Sequence, residues 1–166
     1  MLKYIKKAEA LISDWLKDVP HLPKGAQKWI AENIWWITLV CAILSAISVL
    51  TGLMAFFAAL AAWGTVPYAY GYGIGGFWVV SALLAIVFSA VTAGILAKAI
   101  TPLKTQKATG WHLLFMLFMV DVIYVVVSAL FSYGVIGFIF NLIFGAIGLA
   151  ISAYLLFEIK SHFVKK

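Results

Sequence analysis

Among the six acidic side chains of this sequence, one stands apart from the rest. Asp121 lies in the middle of WHLLFMLFMVDVIYVVVSALFSY, Trp111 to Tyr133, a stretch long enough to cross a bilayer. An ionisable group at that depth is costly and is tolerated where it serves a proton or ion path, or where it finds a partner between helices. Counting along the helix puts it ~15 Å from the inner end of the stretch. Tyr124, Ser128 and Ser132 share its helical face, three, seven and eleven residues on. Equal depth in the neighbouring apolar stretches falls near Ser45, Ser89 and Gly148. The Ser45 and Ser89 hydroxyls are therefore expected within reach of the carboxyl. Asn141, nearer the outer end of the last stretch, is expected to bond Ser128. No Lys or Arg lies at that depth to hold an ionised carboxylate. Two chemistries fit this set: a proton or cation site coupled to passage of a solute, or polar glue between helices.

Other chemistry has little support. There is no nucleophile–base pair, no paired carboxylates, no His/Cys cluster at metal-ligand spacing and no phosphate-binding loop. The chain reads as non-enzymatic, with no catalytic, cofactor-binding or metal residues. Cys41 is the one cysteine, which excludes an intramolecular disulfide and thiol-pair redox chemistry. His21, flanked by Pro20 and Leu22-Pro23, reads as an exposed bystander; His112 and His162 read as interfacial. Gly71, Gly73 and Gly76 match G-x-G-x-x-G, but that motif works only inside a βαβ unit. Gly71-Tyr72-Gly73 matches the end of the potassium-channel filter signature, yet Ala69 and Tyr70 replace its Thr and Val, and no room is left for a pore helix. Twelve Lys and no Arg weaken any bidentate recognition of phosphate or bases, so nucleic acid is not an expected partner.

The elements that must position Asp121 are membrane spans. The chain is 65% hydrophobic and 11% charged, with a mean hydropathy of +1.07. Soluble domains carry roughly a quarter charged residues. From Asn33 to Ala97 there is no Asp, Glu, Lys or Arg. The pattern predicts an all-α bundle of four transmembrane helices, with spans at about 34–60, 77–100, 111–133 and 135–157. The first would be ~40 Å long against a ~30 Å apolar core, so it must tilt, bend or end early, and Gly52 is the expected bend. Thr38, Cys41, Ser45, Ser48 and Gly52 form a small-residue seam on it, and Gly137, Gly145, Gly148 and Ser152 form one with Asn141 on the fourth. Residues 64–76 read as a loop and Gly134 as a tight turn.

Residues 1–33 read as an amphipathic helix and a proline elbow. Tyr4, Ala8, Leu11, Ile12, Trp15, Leu16 and Val19 make one apolar stripe, opposite Lys3, Lys6, Lys7 and Lys17. Such a helix suits the membrane surface, or packs on its own protein. Asp18 in its last turn opposes the helix dipole, so the helix should fray there. Residues 158–166 read as a basic tail continuing the last helix into water. Six Lys precede the first span, three lie in 98–109 and three in the tail, with none in 64–76 or at Gly134. Four spans put every lysine on one side, so both termini are expected in the cytoplasm. Trp63, Trp78 and Tyr133 then fall at the outer interface, and Trp35, Trp36 and Trp111 at the inner one. The first thirty residues lack the unbroken apolar core of a cleavable signal peptide, so the first span would direct its own insertion.

The opening D-W-L-x-x-x-P-x-L-P (Asp14 to Pro23), the Trp35-Trp36 pair and the closing Y-L-L-F-E-I-K-S-H (Tyr154 to His162) resemble a group of small four-span bacterial membrane proteins. The resemblance covers most of the chain and implies a bacterial cytoplasmic membrane, but its motifs mark topology and imply no activity. Small four-span multidrug transporters differ: they depend on a Glu in the first span, where this chain has no acid. The expectation is a structural or accessory protein of the lipid bilayer, partnered by a second copy or another membrane protein. That reading predicts a packed centre without a water path to Asp121. The alternative is a small proton- or cation-coupled transporter or channel using Asp121, with a cavity reaching it between spans one, three and four.

Overall fold

The computed structural model describes residues 2–63, 72–132 and 134–164, with side chains for 7–61, 78–132 and 134–164. The helices are α1 (Leu2–Trp15), α2 (Lys24–Trp63), α3 (Tyr72–Lys104), α4 (Ala108–Leu130), α5 (Gly134–Glu158) and a short α6 (Lys160–Phe163). Among the described residues there is no strand. Four stretches are long and apolar enough to cross a membrane: Lys24–Ala61, Trp78–Lys104, Ala108–Leu130 and Gly134–Phe163. The protein is an all-α, multi-pass membrane protein with a four-helix bundle. In lipid the backbone finds no water to bond, so uninterrupted apolar runs satisfy their amides internally as helix.

The helix ends differ from the sequence expectation in instructive ways. α2 has 40 residues, ~60 Å of helix, so it extends well past an apolar core of ~30 Å. It passes through Gly52 without a break. There a Cβ would stand 3.1 Å from Ile86 Cγ1, so the glycine makes room for α3. α3 does not stop near Ile100 but continues through Pro102 to Lys104. Leu103 is fully buried, and its packing holds that last turn in place. The following link is short: Gln106 takes φ 49, and the Lys107 amide donates to Pro102 O at 2.9 Å. α4 begins three residues before Trp111, and Gly110 permits this because a Cβ would lie 2.8 Å from Leu103 N. Gly134 makes the expected turn into α5, with φ +71. α3 begins at Tyr72, so Gly73 and Gly76 are helical. Gly71 and the rest of 64–71, and Tyr133, lie outside the described residues; the side chain of Trp63 does too.

α2 packs on α3, α3 on α4 and α4 on α5, while α6 touches α2, α4 and α5 at one end. The buried core gathers at that end, around Ala31, Leu103, Trp111, Phe115, Leu156 and Ile159. Toward the other end α2 and α5 turn Leu50, Phe57, Ile136 and Phe144 outward, where lipid covers them.

Two expectations about this end are corrected. Trp111 is not a belt residue: it is fully buried, and its indole Nε1 donates to Leu156 O at 2.8 Å. A Trp whose N–H finds a carbonyl inside the protein has no need of the headgroup layer. The tail does not run straight into water: Glu158, Ile159 and Phe163 are buried. α1 ends at Trp15 and loosens into turns over 16–18, as expected of a helix that frays near Asp18. Its apolar stripe is divided, with Ala8 and Ile12 packed on the core and Leu11 and Trp15 exposed.

Candidate functional site

The residues expected to surround Asp121 separate into distinct places. Asp121 itself is half-buried on α4 and makes no hydrogen bond or ion pair among the described residues. Ser45, on α2, and Ser89, on α3, do not bond it. Ser89 instead lines a cleft of about 300 Å³ between α2 and α3, together with Ser48 and Gly52. The physical reason is the order of packing. The main contacts among the long helices are α2 with α3, α3 with α4 and α4 with α5, and Ser89 turns to the α2 side of α3.

The residues that do converge lie further along α4. Ser128 Oγ stands 3.2 Å from Asn141 Oδ1 and donates to it. Asn141 Nδ2 donates in turn to Ser132 Oγ at 3.2 Å, and Ser132 Oγ is also bonded to Ser128 O at 3.1 Å. These groups and Tyr124, whose ring lies 4.9 Å from that of Phe88 on α3, line a cleft of about 360 Å³. Trp78 and Ser81 complete it, and Ser81 Oγ donates to Phe131 O at 3.4 Å. Asp121 is not among its lining residues. The cluster closes α4 on α5: a hydroxyl–amide–hydroxyl chain in which each group has a partner.

The second polar site was missed from sequence. It joins the proline elbow to the C-terminal end of α5. Glu158 is 7% exposed, yet its carboxylate has three donors. His21 Nδ1 lies 2.6 Å from Oε1, and the carboxylate being an acceptor, the histidine donates. The Leu22 amide and Gln27 Nε2 both donate to Oε2, at 2.9 and 2.8 Å. Gln27 Nε2 also donates to Leu22 O at 3.0 Å. One turn back on α5, Tyr154 Oη donates to Pro20 O at 2.7 Å. His21 is therefore not a bystander. Pro20 and Pro23 keep the intervening backbone out of a helix, which frees the Leu22 amide to turn toward a side chain. The signal was present as a lone Glu closing an apolar helix and a His–Gln pair six residues apart, but it spans the length of the chain.

Lys160 locks the other side of this clasp. Its ammonium pairs with Glu9 of α1 at 2.7 Å and lies 5.2 Å from the Trp111 ring centroid and 5.5 Å from that of Phe157. Between α1, the elbow and α6 lies a cleft of about 390 Å³ that includes Ser13, Lys17, His21, Glu158, Lys160 and Ser161 in its walls. Among the described residues there is no group of His, Cys, Asp and Glu that could hold a metal ion. No family model, no curated protein and no solved structure matches this chain.

Proposed function

We propose that the protein is a non-enzymatic structural or accessory component of a bacterial cytoplasmic membrane, with both ends in the cytoplasm and α1 lying on the inner leaflet. The observation that carries this reading is how the polar side chains are used. Ser128, Ser132 and Asn141 bond one another, and Glu158 is consumed by His21, Leu22 and Gln27. Such pairing ties helices and elbow together. Leu11 and Trp15, exposed beside the packed face of α1, suit the headgroup boundary. The long apolar flanks of α2 and α5 give a membrane partner or a second copy room to pack.

A second reading, a small proton- or cation-coupled transporter, draws on one fact: Asp121 is half-buried in a span without a hydrogen-bond partner among the described residues. Proton and cation flux in liposomes separates the two. The accessory reading expects wild type and Asp121→Asn to stay together at the empty-liposome level. Flux above that level, lost in Asp121→Asn, would replace it with the transporter.

A further inference from the structure

We propose that the corner where α3 turns into α4 binds the headgroup of an anionic phospholipid through Lys98, Lys104 and Lys107. Such a site needs the chain to span a bilayer and does not depend on the accessory role. Positive charge is unevenly used at this end of the molecule. Lys17 pairs with Asp14, Lys28 with Glu32 and Lys160 with Glu9, so those charges are balanced where they stand. Lys98, Lys104 and Lys107 are exposed and pair with no acid among the described residues. No acid is close in the chain either: from Asn33 to Val120 there is no Asp or Glu. The neighbouring helices supply no free counter-charge. Glu32 is the one acid of α2 and is engaged by Lys28 at 3.8 Å. Asp121, the one acid of α4, lies thirteen residues from its start, ~20 Å along the axis. Glu158 of α5 is covered and bonded by His21, Leu22 and Gln27. The three lysines of this corner therefore keep their net positive charge.

Placement fits a headgroup. Lys98 and Lys104 lie six residues apart on α3, ~9 Å along the axis. That covers the headgroup layer of one leaflet, ~5–7 Å deep. Lys98 sits deeper and reaches the layer along its own stem. The Lys104 ammonium stands 5.1 Å from the centroid of the Trp35 ring, which positions it before a lipid arrives. Gln106 and Thr109 are exposed close by in the chain, and their side chains make no hydrogen bond among the described residues. Amide and hydroxyl donors are thus left for phosphate oxygens. A lysine binds phosphate as a point charge, without the fork of an arginine. Its pull on an anionic leaflet fades within a Debye length. The acid-free corner is therefore where an anionic lipid settles, and the balanced lysines elsewhere are not.

The test uses the full chain purified in neutral detergent, with phosphatidylglycerol and phosphatidylcholine as probes and native mass spectrometry as readout. Three lysines at about fivefold each give wild type a preference for phosphatidylglycerol on the order of a hundredfold. Lys107→Gln and Lys17→Gln form a matched pair, since each removes one exposed charge. Lys107→Gln is expected to lower phosphatidylglycerol retention about fivefold, and Lys17→Gln to change it by less than about twofold. Lys98→Gln, Lys104→Gln and Lys107→Gln together should abolish the preference. Should that variant not fold, Lys98→Gln with Lys107→Gln leaves the Lys104–Trp35 contact in place and should remove most of it. Equal retention of both lipids by wild type, equal effects of Lys107→Gln and Lys17→Gln, or an undiminished preference in the folded multiple variant would overturn the proposal.

Discussion

His21 and Glu158 meet at 2.6 Å although 137 residues separate them in the chain. The contact joins a mostly exposed imidazole to a carboxylate that is almost wholly covered. That asymmetry decides what each partner is worth. Glu158→Ala leaves the Leu22 amide without its acceptor in a covered site, and Gln27 with Leu22 O alone. It is expected to cost about 3 kcal/mol, the low end for breaking a buried charged contact, because His21 can turn to water. Thermal unfolding in detergent reads this as a clear drop in Tm. An unchanged Tm would mean that the clasp contributes nothing.

His21→Ala should cost less than about 1 kcal/mol, since the imidazole is largely solvated. Its visible effect is local: the Pro20–Pro23 elbow becomes more open to proteases while the bundle stays folded. Combined with Glu158→Ala it should add almost nothing, because both changes remove one interaction. Fully additive losses would show that the two residues act separately.

Two glycines on one helix give a controlled comparison. A Cβ at Gly145 would collide with the Val125 side chain, whereas at Gly148 it meets nothing within 4 Å. Gly145→Ala is expected to force α4 and α5 apart at a cost of about 1–3 kcal/mol. Gly148→Ala should be neutral or slightly stabilising. Equal Tm values for the two variants would contradict the close approach of these helices.

Asn141→Leu removes the amide that joins Ser128 to Ser132. Hydrogen bonds between membrane helices average about 0.6 kcal/mol, so the loss of stability should be small. Ion flux should not change. A large functional effect with little loss of stability would move this cluster from glue to site.

The orientation can be checked with single cysteines in a Cys41→Ser background. Positions Ser13, Thr105 and Ser161 should all react with an impermeant thiol reagent from the same face of the membrane. Labelling of Thr105 from the face opposite Ser13 would break the four-span topology.

The spans were legible in the sequence because lipid imposes a crude rule: long apolar runs become helices, and lysines keep to one side. The Gly134 turn followed from its backbone freedom. The bond between Ser128 and Asn141 could be anticipated from depth alone, because α4 and α5 are joined by a tight turn. Depth failed for Ser45, since it says nothing about which helices are neighbours, and for Ser89, since it does not say which face of α3 turns toward α4. It also failed for Glu158. A lone acid after Phe157 reads as the start of a polar tail, and only the folded chain brings the elbow to it. Trp111 was misread for a related reason: an interfacial position and a buried one look alike until the Leu156 carbonyl is found beside the indole.

The core sits at a single end, and it is completed by α5, α6 and the elbow together. This carries a consequence for biosynthesis. The first three spans leave the ribosome before Tyr154, Glu158 and Phe163 exist, so they must wait in the bilayer with that end unfinished. Closure comes last, when the final helix is released, and a nascent chain truncated after Leu149 would be inserted yet unlatched. Any protease that samples the chain during synthesis would therefore meet a loose N-terminal segment in every incomplete copy and a fastened one in every finished molecule.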